Sequence, residues 1–427
     1  MRIKTKLNKG YKPIDKSAKN IYCEKYYLIL IFLISLLIIL LIVHISLKIY
    51  IKIRSNAILN NPAFYNITFE PQEIIYQNNN ELAIDKNELK EIKNFIDNNK
   101  LLNPDKQLKK YEDPKISIII PIINEEINIE KSLLSIYNQN LKEIEIILIT
   151  DFSNDKSLEK INQLISKYPS ISLIKNQNNN GLLNSKITGV LNSKGKYILF
   201  LNQNDFFAKN DAFNILYEES EKNNLDILGF ASLLNDGRYI HHLYEIPLIK
   251  EKEIRQIMYN VTKKEINRTG DVLVNYFIKK DLLIQNIKTI DEKYLNKRIN
   301  FNPDFFLLFL LSRNATSFKQ IKNILYYSVN NWLKKWEEND LNLRCLNYLY
   351  YIDFLYNKTN DDYADKKIVL YELENWILNT KCRKNDLIRE ELFNICKNLS
   401  EKKYVENKYK LELYLYVFDN TTVISTL

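Results

Sequence analysis

The stretch KISIIIPIINEEINIEKSLLSIYNQ (115–139) decides the fold. Lys115–Ile120 is a nearly continuous β-branched run, the pattern of a strand buried on both faces. Pro121 is expected to end it. Asn124-Glu125-Glu126 then opens a helix whose apolar residues Ile129, Leu133, Leu134 and Ile136 recur at helical spacing. The pattern repeats in EIEIILITDFSND (143–155), where a strand at Glu145–Ile149 ends in a polar cluster beginning at Thr150-Asp151. A second amphipathic helix (Leu158, Ile161, Ile165) and a strand at Ile171–Ile174 follow. In GLLNSKITGVLNSKGKYILFLNQND (181–205), Gly181–Leu191 is expected to be loop and helix. The fourth strand, Lys196–Leu201, is capped by Asn202-Gln203-Asn204-Asp205. Strands alternating with helices predict parallel βαβ units, with ligands bound at the strand C-termini.

The chain has only 7 glycines, and Gly181, Gly189 and Gly195 fall together here, where backbone must approach backbone or φ must be positive. Neither the glycine fingerprint of dinucleotide-binding folds nor a phosphate-binding GxxxxGK[ST] loop occurs, which argues against NAD enzymes and P-loop nucleotidases.

Taken in order, three groups of motifs closely resemble the family 2 glycosyltransferases. They are Ser117–Pro121 with Asn124-Glu125-Glu126, Ile147–Asp155, and Lys194–Ile198 leading into Leu201–Asp205. The resemblance implies a GT-A fold: an α/β, Rossmann-like, mostly parallel sheet with flanking helices. It also implies a nucleotide-diphosphate sugar as donor. Pro121 and Glu125 would lie beside the nucleotide. Asp151 would contact the base, where a fixed carboxylate accepts an imide N–H; a turn or helix-capping aspartate is the competing role.

The family normally closes its fourth strand with Asp-x-Asp-Asp, one or more of whose carboxylates bind Mn²⁺ or Mg²⁺ to neutralise the diphosphate. Here two of those positions are amides. Asn202 and Asn204 are donor-binding candidates, and Asp205 is the metal-ligand candidate. Three outcomes stay open: a metal held by Asp205 and phosphates, an enzyme working without metal, or lost catalysis.

Further on, Asp271–Leu282 and Arg298–Ser317 resemble the family's acceptor-side segments. Asp304, ahead of the apolar helix Phe305–Leu311, stands where the family carries its general base; a helix cap is the alternative. His241 and His242 are adjacent and point apart on either a helix or a strand, which disfavours joint metal ligation. Trp332 and Trp336, at i and i+4, suit either sugar stacking or core packing.

The net charge of +9 sits wholly in residues 1–54, where eleven Lys/Arg oppose Asp15 and Glu24 (11 − 2 = +9). The rest is balanced, which argues against a nucleic-acid partner. Tyr26–Leu47 carries no charge. As a helix it is about 33 Å long at about 1.5 Å per residue, enough to span a bilayer. With more basic residues before it than after, it predicts a type II anchor, residues 1–25 being cytosolic. The catalytic body would then face the lumen of the Golgi or ER. Residues 48–113 are expected to form a stem with a helix at Glu81–Asn99, 114–335 the catalytic domain, and 336–427 a helical extension. Cys345, Cys382 and Cys396 allow one disulfide with one thiol left over, and Cys23 is juxtamembrane.

The expected function is sugar transfer, with inversion, from a nucleotide-diphosphate sugar to a glycan or protein. The alternative is a catalytically inactive GT-A domain that binds glycans or scaffolds other proteins.

Overall fold

A computed structural model of the chain describes residues 32–36, 44–46, 86–98, 110–122, 129–151, 157–168, 170–176, 181–234, 245–250, 273–301, 303–329 and 338–358. It also describes residues 254, 255, 258, 394, 395 and 398. The chain divides into two compact units, Met1–Tyr76 and Gln77–Leu427. In the first, residues 32–36 and 44–46 are helical and exposed. The rest of Tyr26–Leu47 lies outside the described residues. Among the described residues, no helix is long and apolar enough to cross a membrane.

The second unit is built on one sheet. Strands β1 (Ile116–Ile122), β2 (Ile144–Asp151), β3 (Ile171–Asn176) and β4 (Tyr197–Phe200) pair in parallel in the order β3-β2-β1-β4. Helices α2 (Ile129–Tyr137), α3 (Ser157–Lys167) and α4 (Gly181–Leu191) connect them; a helix α1 (Lys86–Asp97) precedes β1. All residues of β1 and β4 are buried, as their unbroken apolar runs predict. The chain leaves β1 towards β2 and β3, then returns to β4 on the other side. The crevice beyond the C-termini of β1 and β4 is therefore the topological switch point.

Pro121 does not end β1; the strand runs on through Ile122. The Leu201 N–H donates to the Ile119 carbonyl at 3.0 Å, so odd-numbered residues of β1 face β4. Pairing with β4 stops at Ile119↔Phe200, so the N–H that Pro121 lacks faces no strand.

The sheet as a whole is mixed rather than mostly parallel. Beyond β4 come β8 (Tyr276–Lys279), β6 (Ile227–Leu234), β9 (Ser317–Ser328) and β5 (Phe206–Phe207), with β7 (Ile246–Lys250) also on β9. β8 inserts antiparallel between β4 and β6, and β6 and β9 run parallel. The first four strands alternate with crossover helices, which force parallel pairing. The later strands are not so constrained.

Helices α5 (Ala212–Asn223), α6 (Lys280–Ile287), α7 (Glu292–Leu295), α8 (Pro303–Asn314) and α9 (Glu338–Lys358) complete the described residues. α8 is buried along ten of its residues, because α9 covers it. Phe306 stacks against Phe354 at 4.9 Å between centroids, and Phe305 against Tyr351 at 5.2 Å. Each such aromatic contributes about 1.5–3 kcal/mol on burial, so α9 is part of the core.

Candidate active site

The turn after β4 is fixed by Asp205, which has no exposed surface. Its Oδ2 accepts from the Tyr326 hydroxyl at 2.7 Å and from Asn202 Nδ2 at 3.0 Å. Its Oδ1 accepts from the Ser328 hydroxyl and the Val329 N–H, both at 3.0 Å. A carboxylate has about four lone-pair sites, and all four are used. Tyr326 closes the turn by also accepting the Asn202 N–H at 3.3 Å. Burial pushes the Asp205 carboxyl above its usual range, opposed by these same donors. Asp205 thus ties β4 to the end of β9. Beside it, Asn204 is only 6% exposed, and its Oδ1 has no hydrogen-bond partner.

A second buried group lies behind β4. Asp304, in the first turn of α8, forms an ion pair with Lys186 of α4, at 0% and 2% side-chain exposure. The Leu273 N–H donates to the other Asp304 oxygen at 2.8 Å. The Lys186 ammonium lies 5.7 Å from the centre of the Phe200 ring, at the last residue of β4. The pair is therefore next to the strand that carries the Asn202–Asp205 turn.

α4 is aimed by its own N-terminus. Leu182 N–H donates to Asn300 Oδ1 at 3.0 Å, and Leu183 N–H to the Ile299 carbonyl at 3.1 Å. That strap is held by Asn347 of α9, whose Oδ1 accepts from Asn300 N and Phe301 N at 2.9 and 3.1 Å. Gly181 sits between them at φ +83°, and a Cβ there would lie 2.7 Å from Ile299 N and from Asn300 Oδ1. Gly181→Ala is therefore expected to cost about 2–4 kcal/mol in urea denaturation, from the left-handed backbone and the clash together. A cost within about 0.5 kcal/mol, the range of a neutral surface change, would contradict the packing described.

Of the residues nominated from sequence, Pro121 lies near the C-terminal end of β1 and Asp151 ends β2, opposite Asn176 of β3. Asn202, Asn204 and Asp205 are together in one turn, and Asp304 pairs with Lys186, whose ammonium lies over the ring of Phe200, two residues before that turn in the chain. Glu125, His241, His242, Trp332 and Trp336 lie outside the described residues. Sequence reasoning missed Lys186, Tyr326, Ser328 and Asn347. The one available signal was a lysine among the apolar positions of a helix, and it is lost in a chain with 61 Lys and Arg.

Residues 117–269 match the family model for Glycosyl transferase family 2. That stretch is similar to the family 2 glycosyltransferases. An uncharacterized glycosyltransferase of Haemophilus influenzae is 41% identical over 95 residues, 22% of this chain and 38% of that protein. The uncharacterized glycosyltransferase EpsJ of Bacillus subtilis is 38% identical over 116 residues, 27% of this chain and 33% of that one. The chain thus spans little more than a third of these relatives' lengths. Among solved structures, Staphylococcus aureus TarS 1–349 in complex with UDP-GlcNAc superposes with a TM-score of 0.51 at 15% identity. The match covers 72% of this chain and 89% of that one, which establishes a GT-A-like α/β fold with a mixed sheet.

The divalent cation that the family resemblance implies finds no free carboxylate oxygen in the Asn202–Asp205 turn. The described residues hold no group of three or more His, Cys, Asp or Glu able to bind a metal ion. Asp205 would ligate only by releasing one of its four donors, stranding a buried polar group at about 1–3 kcal/mol. The free oxygen at this turn belongs to Asn204, and an amide brings no charge to a hard cation.

Proposed function

We propose that the chain transfers a sugar, with inversion, from a nucleotide-diphosphate sugar to a hydroxyl of a glycan or protein. The observation that carries this reading is the linked pair of buried sites, Asp205 with its turn and Asp304 with Lys186, around the end of β4. It is supported by the family 2 match and by the switch-point crevice, where α/β sheets bind their ligands.

In this scheme the donor lies across the ends of β1, β2 and β4, over Pro121, Asp151 and the Asn202–Asp205 turn. Asp205 holds that turn rigid through four hydrogen bonds. The acceptor hydroxyl attacks the anomeric carbon, the bond to the diphosphate breaks, and Asp304 takes the hydroxyl proton. Lys186 holds the Asp304 carboxylate in place before the transfer. Asp304 is fully buried, so the acceptor reaches it only when the covering segments part.

Asp304→Asn should lower transfer by about 10²–10⁴-fold, the usual contribution of a general base, while leaving donor affinity unchanged. Retained turnover would remove Asp304 from the mechanism, and parallel loss of donor binding would make its role structural. The complete engagement of Asp205 favours one competing reading, an inactive GT-A domain that binds glycans or scaffolds other proteins. Donor binding with no turnover against any acceptor would establish it. We also propose that residues 26–47 anchor the chain in a Golgi or ER membrane, with the body lumenal. Protease digestion of the body in intact microsomes would overturn that orientation.

A further inference from the structure

Resting on the proposed donor binding, we infer that the Asn202–Asp205 turn holds the donor without a divalent cation, with the Asn204 amide in direct contact with the nucleoside diphosphate. Three observations converge. First, Asp205 is the one carboxylate of the turn, and its four lone pairs are already taken by Tyr326, Asn202, Ser328 and Val329. Second, Asn204 is 6% exposed, yet its amide oxygen has no partner. An unpaired buried amide is costly unless a ligand supplies the missing bond. Third, no second acidic or histidine cluster among the described residues replaces the missing ligands.

Charge gives the physical reason that two substitutions go together. Three carboxylates around a divalent cation leave one net negative charge facing the diphosphate. Asn-Gln-Asn-Asp without a cation leaves at most the same single charge, on Asp205. Removing the cation while keeping three carboxylates would set three anions against the phosphates. Losing the two aspartates removes that repulsion. An amide is also both donor and acceptor. The Asn204 atom left without a partner is its amide oxygen, so it can accept from a ribose hydroxyl of the nucleotide.

The test is calorimetric titration of the full 427-residue chain with UDP and with GDP, in EDTA and in Mn²⁺. One of the two nucleotides is expected to bind with the same Kd in both buffers, and the electron paramagnetic resonance signal of Mn²⁺ should be unchanged by the protein. A coupled cation would instead tighten binding by roughly 5–150-fold, and that result would overturn the inference while keeping the donor reading. Absence of binding in both buffers would overturn the two together. Asn204→Ala should weaken nucleotide binding about tenfold, the loss of one hydrogen bond. Asn204→Asp should weaken it in EDTA and restore it with Mn²⁺. If both variants bind as the parent does, Asn204 is not the contact and the inference fails.

Discussion

Lys186→Met is expected to cost about 3–5 kcal/mol of folding free energy, because it leaves a buried carboxylate without its partner. Asp304 and Lys186 are 0% and 2% exposed, so solvent cannot take over for either group. The Leu273 N–H would remain among the Asp304 partners, but a backbone dipole does not replace an ammonium beside a buried charge. The double substitution Lys186→Met with Asp304→Leu should recover most of that loss, since replacing both partners by apolar groups is often close to neutral. Chemical denaturation of the two singles and the double gives the coupling energy directly. A Lys186→Met cost below about 1 kcal/mol would mean that the pair is solvated and that Asp304 is not held as described. The double variant should fold and bind donor but fail to transfer, separating the pair's structural role from its chemical one.

Asp205→Ala should be comparably severe, at about 4 kcal/mol or more. It strands the Tyr326 hydroxyl, the Ser328 hydroxyl, the Val329 N–H and the Asn202 amide at once, and it unties β4 from β9. Tyr326→Phe removes the bonds to Asp205 and from the Asn202 N–H but leaves the other three Asp205 donors, and should cost about 1–3 kcal/mol. The two effects should be strongly non-additive, because Tyr326 loses its main partner when Asp205 is gone. Denaturation midpoints in a double-mutant cycle check this. Additive effects, or an Asp205→Ala cost below about 1 kcal/mol, would contradict the four-bond anchor.

The half of the fold from β1 to β4 was legible because its physics is local. Ile116–Ile122 and Tyr197–Phe200 are apolar runs buried on both faces, and α2, α3 and α4 announce themselves by helical spacing or by glycine. The second half of the sheet was not. β5 is two residues and β8 four, too short for any period, and β9 mixes Lys319, Gln320 and Lys322 into its apolar pattern. Pro121 misled as a strand end because what permits it, the earlier end of β4, is a tertiary fact.

The site shows the same division. Asp205 and Asp304 stood out in sequence as lone carboxylates in the right order. What each does depends on groups far along the chain. Tyr326 is 121 residues from Asp205, and Lys186 is 118 residues from Asp304. The sequence nominated Asp205 to ligate metal, yet its lone pairs are spent on β9 and the turn, and the free oxygen belongs to its neighbour Asn204.

In the proposed mechanism the crevice at the ends of β1, β2 and β4 binds a nucleotide-diphosphate sugar. Isothermal titration of the full chain against a panel of UDP- and GDP-sugars tests it most directly. The account predicts one-to-one binding of at least one sugar donor, abolished by the Asp205→Ala change and retained in the Asp304→Asn variant. No binding to any donor, with or without Mn²⁺, would contradict it.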